Sequence, residues 1–266
     1  MYSFVQNNCI NGTDILGLDS IIVVGGPSLS RDGTSKRVRH DQNPWNFINP
    51  SLNKAMKDAA KCYRGGRCCC KIEVMIYEPP YRRRQAFDST NRRGQSGAQT
   101  ESVQSKVNGI LARAGESKEC IEVSYFSDIY EIIGDIRTRG KDSIDEFSYF
   151  GHAAPGGFFL EYGSLENIND GRQKGANDST DEKTYRVATT SRGGSWDNQH
   201  IADTLEGRLN STGSFNHYGC NGAECAKAVH GSTGAASIGA VGQTSYGPVG
   251  ASTSGPYVPP GKYQSY

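Results

Sequence analysis

Two short stretches put reactive side chains at the ends of aromatic runs. "FSYFGHAAPGG" spans Phe147–Gly157 and stops its apolar run at His152; "FNHYGCNGAEC" spans Phe215–Cys225 and stops at Cys220. In both, glycine precedes the reactive residue (Gly151, Gly219) and small residues follow it. A thiol attacks a carbonyl carbon as the thiolate and needs a base or a local positive field. Imidazole titrates near neutral pH and can take and return a proton. A Cys220–His152 pair is therefore sufficient for acyl transfer from a peptide bond. The oxyanion then needs donors, and the backbone N–H groups of Gly219 and Cys220 are candidates, because Cys220 falls between a strand end and a helix start. The small flanking residues leave room for a substrate chain to approach the backbone.

The elements that must position this pair follow from periodicity. Short β-branched or alternating runs predict strands at 20–27, over "KIEVMIYEPPY", over Cys120–Asp128, and over "DEFSYFGHA" ending at His152. Further strands are predicted over "GSFNHYGC" ending at Cys220 and over "AASIGAVGQTSYG", with "GGFFLEYG" as a returning hairpin arm. Between them, amphipathic patterns predict helices in the second half of "NPWNFINPSLNKAMKDAAK" and over "TESVQSKVNGILARAG", the latter capped by Thr100 and ended by Gly115. Others are predicted over "DIYEIIGDIRTRG", over "DNQHIADTLEGRLN" with Ile201, Leu205 and Leu209 on one side, and over "GAECAKAVHG". Residues 81–98 are Arg-rich and unpatterned and read as a mobile loop, residues 164–195 as a long surface insertion, and the Gly/Pro/Ser-rich segment 248–266 as a flexible tail. Strands alternating with helices predict an α/β fold, a mostly parallel six-stranded sheet with helices on both faces. The functional crevice of such sheets lies beyond the carboxyl ends of the strands, where both His152 and Cys220 fall.

Composition narrows the function classes. The 266 residues carry a formal net charge of +1, which gives no global argument for nucleic acid or an acidic membrane surface. No stretch approaches the roughly 18 apolar residues of a membrane span, and no signal peptide is visible. Cys68, Cys69 and Cys70 are consecutive, a poor arrangement for a disulfide or zinc; with Cys62 they read as ordinary thiols near a strand start, of the kind found in a reducing compartment. No metal site or cofactor is expected. Cys225 reads as core, His217 as a residue of the sheet face, His200 and His230 as helix-surface residues, and Arg82–Arg84 with Arg92 and Arg93 as a solvated loop.

The first eighteen residues, "MYSFVQNNCINGTDILGL", resemble the end of an RHS/YD-repeat core, through Tyr2, Val5, Asn7, Asn8, Asn11, Asp14, Gly17 and Leu18. Cys9 and Ile15 stand where that family usually has proline. The resemblance implies that residues from about Asp19 onward are a variable cargo, often a toxin, enclosed by or delivered from an RHS shell. Within that cargo, "SYFGHAAPGGFFLEYG" and "FNHYGCNGAE" with the later "GSTGAASIGAVGQT" are similar to the two catalytic blocks of caspase-like (clan CD) cysteine peptidases. That resemblance implies a three-layer sandwich over residues 19–247, with His152 as general base or substrate polariser and Cys220 as nucleophile. It also implies an oxyanion role for the N–H after the histidine, here Ala153 where the family usually has glycine, and substrate-binding roles for Arg31, Asp128 and Gln243. The expected substrate is a peptide or protein. Two other readings stand beside it: a non-catalytic binding or scaffold domain of the same fold, which Ala153 favours, and an RHS toxin of another chemistry such as a nuclease, for which only the Arg-rich segment speaks.

Overall fold

The run Ile21-Ile22-Val23-Val24 is wholly buried on both faces, which only a central strand between two layers can accept. It forms strand β1 (Asp19–Val24) of the computed structural model, which describes residues 19–27, 43–64, 71–154, 157–160 and 196–266. The expected RHS-like segment 1–18, Arg31, the Cys68–Cys70 run and the insertion at 164–195 lie outside the described residues.

After β1 come α1 (Ile48–Arg64), β2 (Ile72–Tyr77), α2 (Pro79–Asn91), α3 (Val103–Leu111), β3 (Ile121–Phe126), α4 (Ile129–Thr138) and β4 (Ile144–Phe150). Three short strands, β5 (His152–Ala154), β6 (Gly157–Phe159) and β7 (Trp196–Asp197), make a small second sheet. The chain then runs through α5 (Asn198–Leu205), β8 (Leu209–His217), α6 (Ala223–Thr233), β9 (Ala236–Val241), α7 (Gly247–Gly250) and β10 (Lys262–Ser265).

The main sheet has seven strands in the order β10-β9-β8-β4-β1-β2-β3, parallel except for β10, which runs antiparallel to β9. Alternate residues of β1 feed two cores. Ile21 and Val23 pack with Ile132 and Ile136 of α4, Ile201 and Leu205 of α5, and Val229 of α6. Ile22 and Val24 pack with Leu52, Ala55 and Ala59 of α1 and with Val103 and Val107 of α3. The result is a three-layer α/β sandwich. Beyond β3 the next strand, β4, crosses to the other side of β1, so the topological switch lies between β1 and β4. Crevices at the carboxyl ends of strands open at such a switch.

Several expectations need correction. The sheet has seven strands, not six, because residues 262–265 leave the supposed flexible tail and pair with β9. Tyr257 and Tyr263 hold this segment by packing edge-on against Tyr218, with ring centroids 6.1 and 6.2 Å away. The supposed mobile loop at 81–98 begins as the helix α2. Pro79 and Pro80 open it where their missing N–H groups cost nothing. Its buried stripe is Tyr81, Arg84 and Asp88, so no apolar period marks it. The helix α3 is capped by Ser102, whose side chain accepts the Ser105 N–H, rather than by Thr100, and Gly115 opens a 3₁₀ turn over Gly115–Cys120 instead of ending the helix. The helix α5 stops at Leu205 because Gly207 turns the chain at φ 67°, which puts Leu209 into β8. Cys62, on the last turn of α1, is disulfide-bonded, not an ordinary thiol.

Candidate functional site

The strands that should end on His152 and Cys220 end slightly earlier, at Phe150 and His217. They are nonetheless adjacent and parallel, with Phe147 opposite Phe215 and Tyr149 opposite His217. His152 and Cys220 each stand three residues beyond that last pair. Neighbouring strands run about 4.8 Å apart, and the two segments stay together past the sheet: the Tyr218 N–H donates to the Tyr149 carbonyl at 3.0 Å. The two turns then touch. A Cβ on Gly219 would lie 2.9 Å from both the Gly151 carbonyl oxygen and the Ala153 methyl. Only glycine allows that approach.

The histidine turn is pinned from below. The Tyr149 hydroxyl shares its proton between the carbonyls of His152, at 2.6 Å, and Phe159, at 3.0 Å. A Cβ on Gly151 would fall 2.2 Å from that hydroxyl, so glycine at 151 is what lets the chain curl over it. His152 therefore does not close the large sheet; it opens β5 of the small one, opposite Phe159, with Ala153 opposite Phe158. Its ring packs edge-on against Phe47, centroids 4.9 Å apart.

The cysteine turn is tied to the loop after β9. The Asn221 N–H donates to the Gly242 carbonyl at 2.7 Å, and Asn221 itself takes φ 54°, a left-handed turn that asparagine tolerates. The Thr244 N–H donates to the Cys220 Sγ at 3.4 Å, and the Thr244 hydroxyl lies 3.6 Å from the same sulfur. That hydroxyl also donates to the Tyr218 carbonyl at 3.2 Å, which accepts from the Tyr246 hydroxyl at 3.0 Å as well. Tyr246 in turn packs edge-on against Phe47, centroids 4.7 Å apart. Phe47 thus stands between the histidine and the loop that holds the cysteine, on the α1 side of the sheet.

His217 is a different kind of histidine. It is 1% exposed, on the opposite face, among the rings of Tyr149, Phe158 and Phe215. Burial pushes it down to about 3; the backbone of His217 and Gly219, which favours the proton, does not offset that. A Cβ on Gly222 would strike its Nδ1 at 2.2 Å, so the ring fills the floor beneath the cysteine turn. Cys225 is buried in the same core, and burial raises its thiol well above the ordinary range.

The other predicted site residues separate. Gln243 is exposed and lies between Gly242 and Thr244, hence beside Cys220. Asp128 also lies at this rim, but at the end of the edge strand β3, with β1 and β2 intervening, roughly three strand spacings or 14 Å from β4. Its carboxylate is engaged as the N-cap of α4 in a capping box with Glu131. No group of three or more His, Cys, Asp or Glu placed to hold a metal occurs among the described residues. Sequence reasoning missed Phe47, Thr244, Tyr246 and Tyr149. The signal that could have found the middle two is the polar "GQTSYG" directly after a small-residue strand, a loop with donors at the same rim as the cysteine. Comparison of the chain with family models, with curated proteins and with solved structures returns no match.

Proposed function

We propose that the protein is a cysteine peptidase of the caspase-like kind. Cys220 is the nucleophile and His152 the group that takes the thiol proton or polarises the scissile carbonyl. The observation that carries this reading is the register: two adjacent parallel strands deliver His152 and Cys220 at equal offsets to one rim, beside the switch between β1 and β4. In the first step the Cys220 sulfur adds to the carbonyl carbon. The C–N bond then breaks, the amine leaves with a proton supplied through His152, and a thioester remains. Water attacks the thioester, the acid departs, and the thiol is restored. With the Tyr218 and Asn221 N–H groups already bonded, those of Gly219 and Cys220 lie between two committed donors and are the candidates for the oxyanion. The RHS-like residues 1–18 support a role as the cargo of a larger shell.

The test is hydrolysis of a fluorogenic peptide library by the purified chain. Activity should fall by about 10³-fold or more in Cys220→Ala and in His152→Ala; wild-type rates in both variants would sink the reading. A second reading, a non-catalytic binding domain of the same fold, is favoured by Ala153, whose methyl packs at Gly219 where the family usually has glycine. Absence of hydrolysis together with absence of covalent capture of Cys220 by peptidyl electrophiles would support it.

A further inference from the structure

The thiol that the proposed chemistry needs is not alone at the rim; a threonine from a different loop holds it. We infer that Thr244 is the positioning residue for the Cys220 sulfur, switching its hydrogen bonds as the sulfur gains or loses its proton. This rests on the peptidase reading for its purpose and on the contacts around the sulfur for its content.

Three contacts define the arrangement. The Thr244 N–H points at Sγ from 3.4 Å, the Thr244 Oγ1 lies 3.6 Å from Sγ, and the Thr244 hydroxyl donates to the Tyr218 carbonyl at 3.2 Å. While that hydroxyl proton is committed to Tyr218, Oγ1 offers its lone pairs to the sulfur, so the thiol S–H is the donor across the 3.6 Å contact. Once the proton leaves, the sulfur is an acceptor only. The Thr244 N–H already addresses it, and rotation about the Cβ–Oγ bond turns the hydroxyl proton from Tyr218 to Sγ. The Tyr218 carbonyl is not abandoned, because the Tyr246 hydroxyl still donates to it at 3.0 Å. Tyr246 is thus the reserve donor that frees Thr244. Hydrogen bonds to a charged sulfur are roughly twice as strong as those to a neutral thiol, so the exchange gives the sulfur its donors in the form that attacks.

The loop is braced to keep this aim. The Ser245 N–H donates to the Pro260 carbonyl at 3.0 Å. A Cβ on Gly261 would come within 3.2 Å of the Thr244 methyl, so the segment entering β10 lies directly against Thr244. The threonine methyl is wedged, which fixes the rotamer that brings Oγ1 and N–H to the same sulfur.

The experiment is site-resolved alkylation of the native chain by iodoacetamide, read as the mass of the Cys220 peptide, at pH 6 and pH 9. Alkylation follows the thiolate fraction, so the ratio of the two rates reports how well the site holds the charged sulfur. The pH 6 to pH 9 ratio should fall at least about threefold in Thr244→Val, which keeps the N–H and loses the oxygen, and should return in Thr244→Ser. Tyr246→Phe removes the reserve donor and should lower the ratio in the same direction by a smaller factor. Thr244→Ala serves if the valine variant does not fold. An unchanged ratio in folded Thr244→Val or Thr244→Ala, even with a lower melting temperature, would make Thr244 a packing residue and overturn the inference. A ratio that falls while the wild-type chain cleaves no peptide would uphold the Thr244 switch and remove the peptidase reading instead.

Discussion

His152 and His217 lie on neighbouring strand ends yet belong to different chemistries. His152 lies beyond β4 at the crevice rim against Phe47, whereas His217 is sealed under the cysteine turn. The buried ring makes a pH prediction with a definite sign. Its proton affinity is depressed to about 3 in the native state, against an ordinary value of 6.5. Above 6.5 neither state is protonated and its full contribution is present. As the pH falls below 6.5, the unfolded chain takes up a proton that the native ring refuses, so stability is lost down to about 3, at roughly 1.4 kcal/mol per pH unit. Urea unfolding at pH 6.5, 5.5 and 4.5 should therefore show a widening gap between the wild type and His217→Phe, whose ring suits the aromatic surroundings but binds no proton. Parallel curves would mean that the ring is protonated in place.

The helix α2 shows what sequence patterns can and cannot reveal about an element. Strands β1, β2 and β4 were legible because their residues are β-branched or aromatic and continuous, and α4 because Ile129, Ile132, Ile133 and Ile136 fall on one face. That His152 and Cys220 each follow a strand was legible as well; that those two strands are neighbours was not, because strand order rests on long-range pairing. Helix α2 was not, because apart from Tyr81 the side chains of its buried stripe are charged and satisfy one another. Arg84 donates to Asp88 at 2.7 Å with both side chains almost fully buried, and Asp88 also accepts the Gln99 N–H at 2.7 Å. A periodicity argument sees only polarity there. The Thr244 loop was hidden for a related reason: its role depends on a long-range contact over 24 residues, which no local pattern encodes. The Arg84–Asp88 pairing in α2 can be tested directly. Asp88→Ala leaves the Arg84 guanidinium buried without its carboxylate and should cost about 3–5 kcal/mol in denaturant unfolding. A loss below about 1 kcal/mol would mean that Arg84 reaches water and that the helix is held by Tyr81 alone.

Across the whole molecule each face of the sheet joins an apolar core to an ion cluster. At the end of α4, Arg139 holds Asp19, Glu73 and Asp135, whereas the cluster under α1 centres on Lys54. Lys54, 2% exposed, reaches Glu146 on β4 at 2.8 Å and Asp58 on its own helix; Asn216 on β8 donates to the same Glu146 oxygen at 2.6 Å. Burial opposes the Lys54 charge, yet Glu146 and Asp58 together outweigh it and hold its proton more tightly than usual. The cluster stitches α1 to the two strands that carry the candidate pair, and the residue just before α1 is Phe47, which touches His152. A helix fixed at Lys54 therefore delivers Phe47 at a set height over the rim. Lys54→Met keeps the apolar stem and strands the carboxylates. It should cost about 3 kcal/mol, the low end for a broken buried pair because Glu146 retains 27% exposure. Adding Glu146→Gln in the same chain should recover part of that loss, with an interaction energy of roughly 1–3 kcal/mol in a double-mutant cycle. Strict additivity would show that the cluster is a set of independent surface charges, and that the seating of α1 over the site rests on the Leu52, Ala55 and Ala59 packing alone.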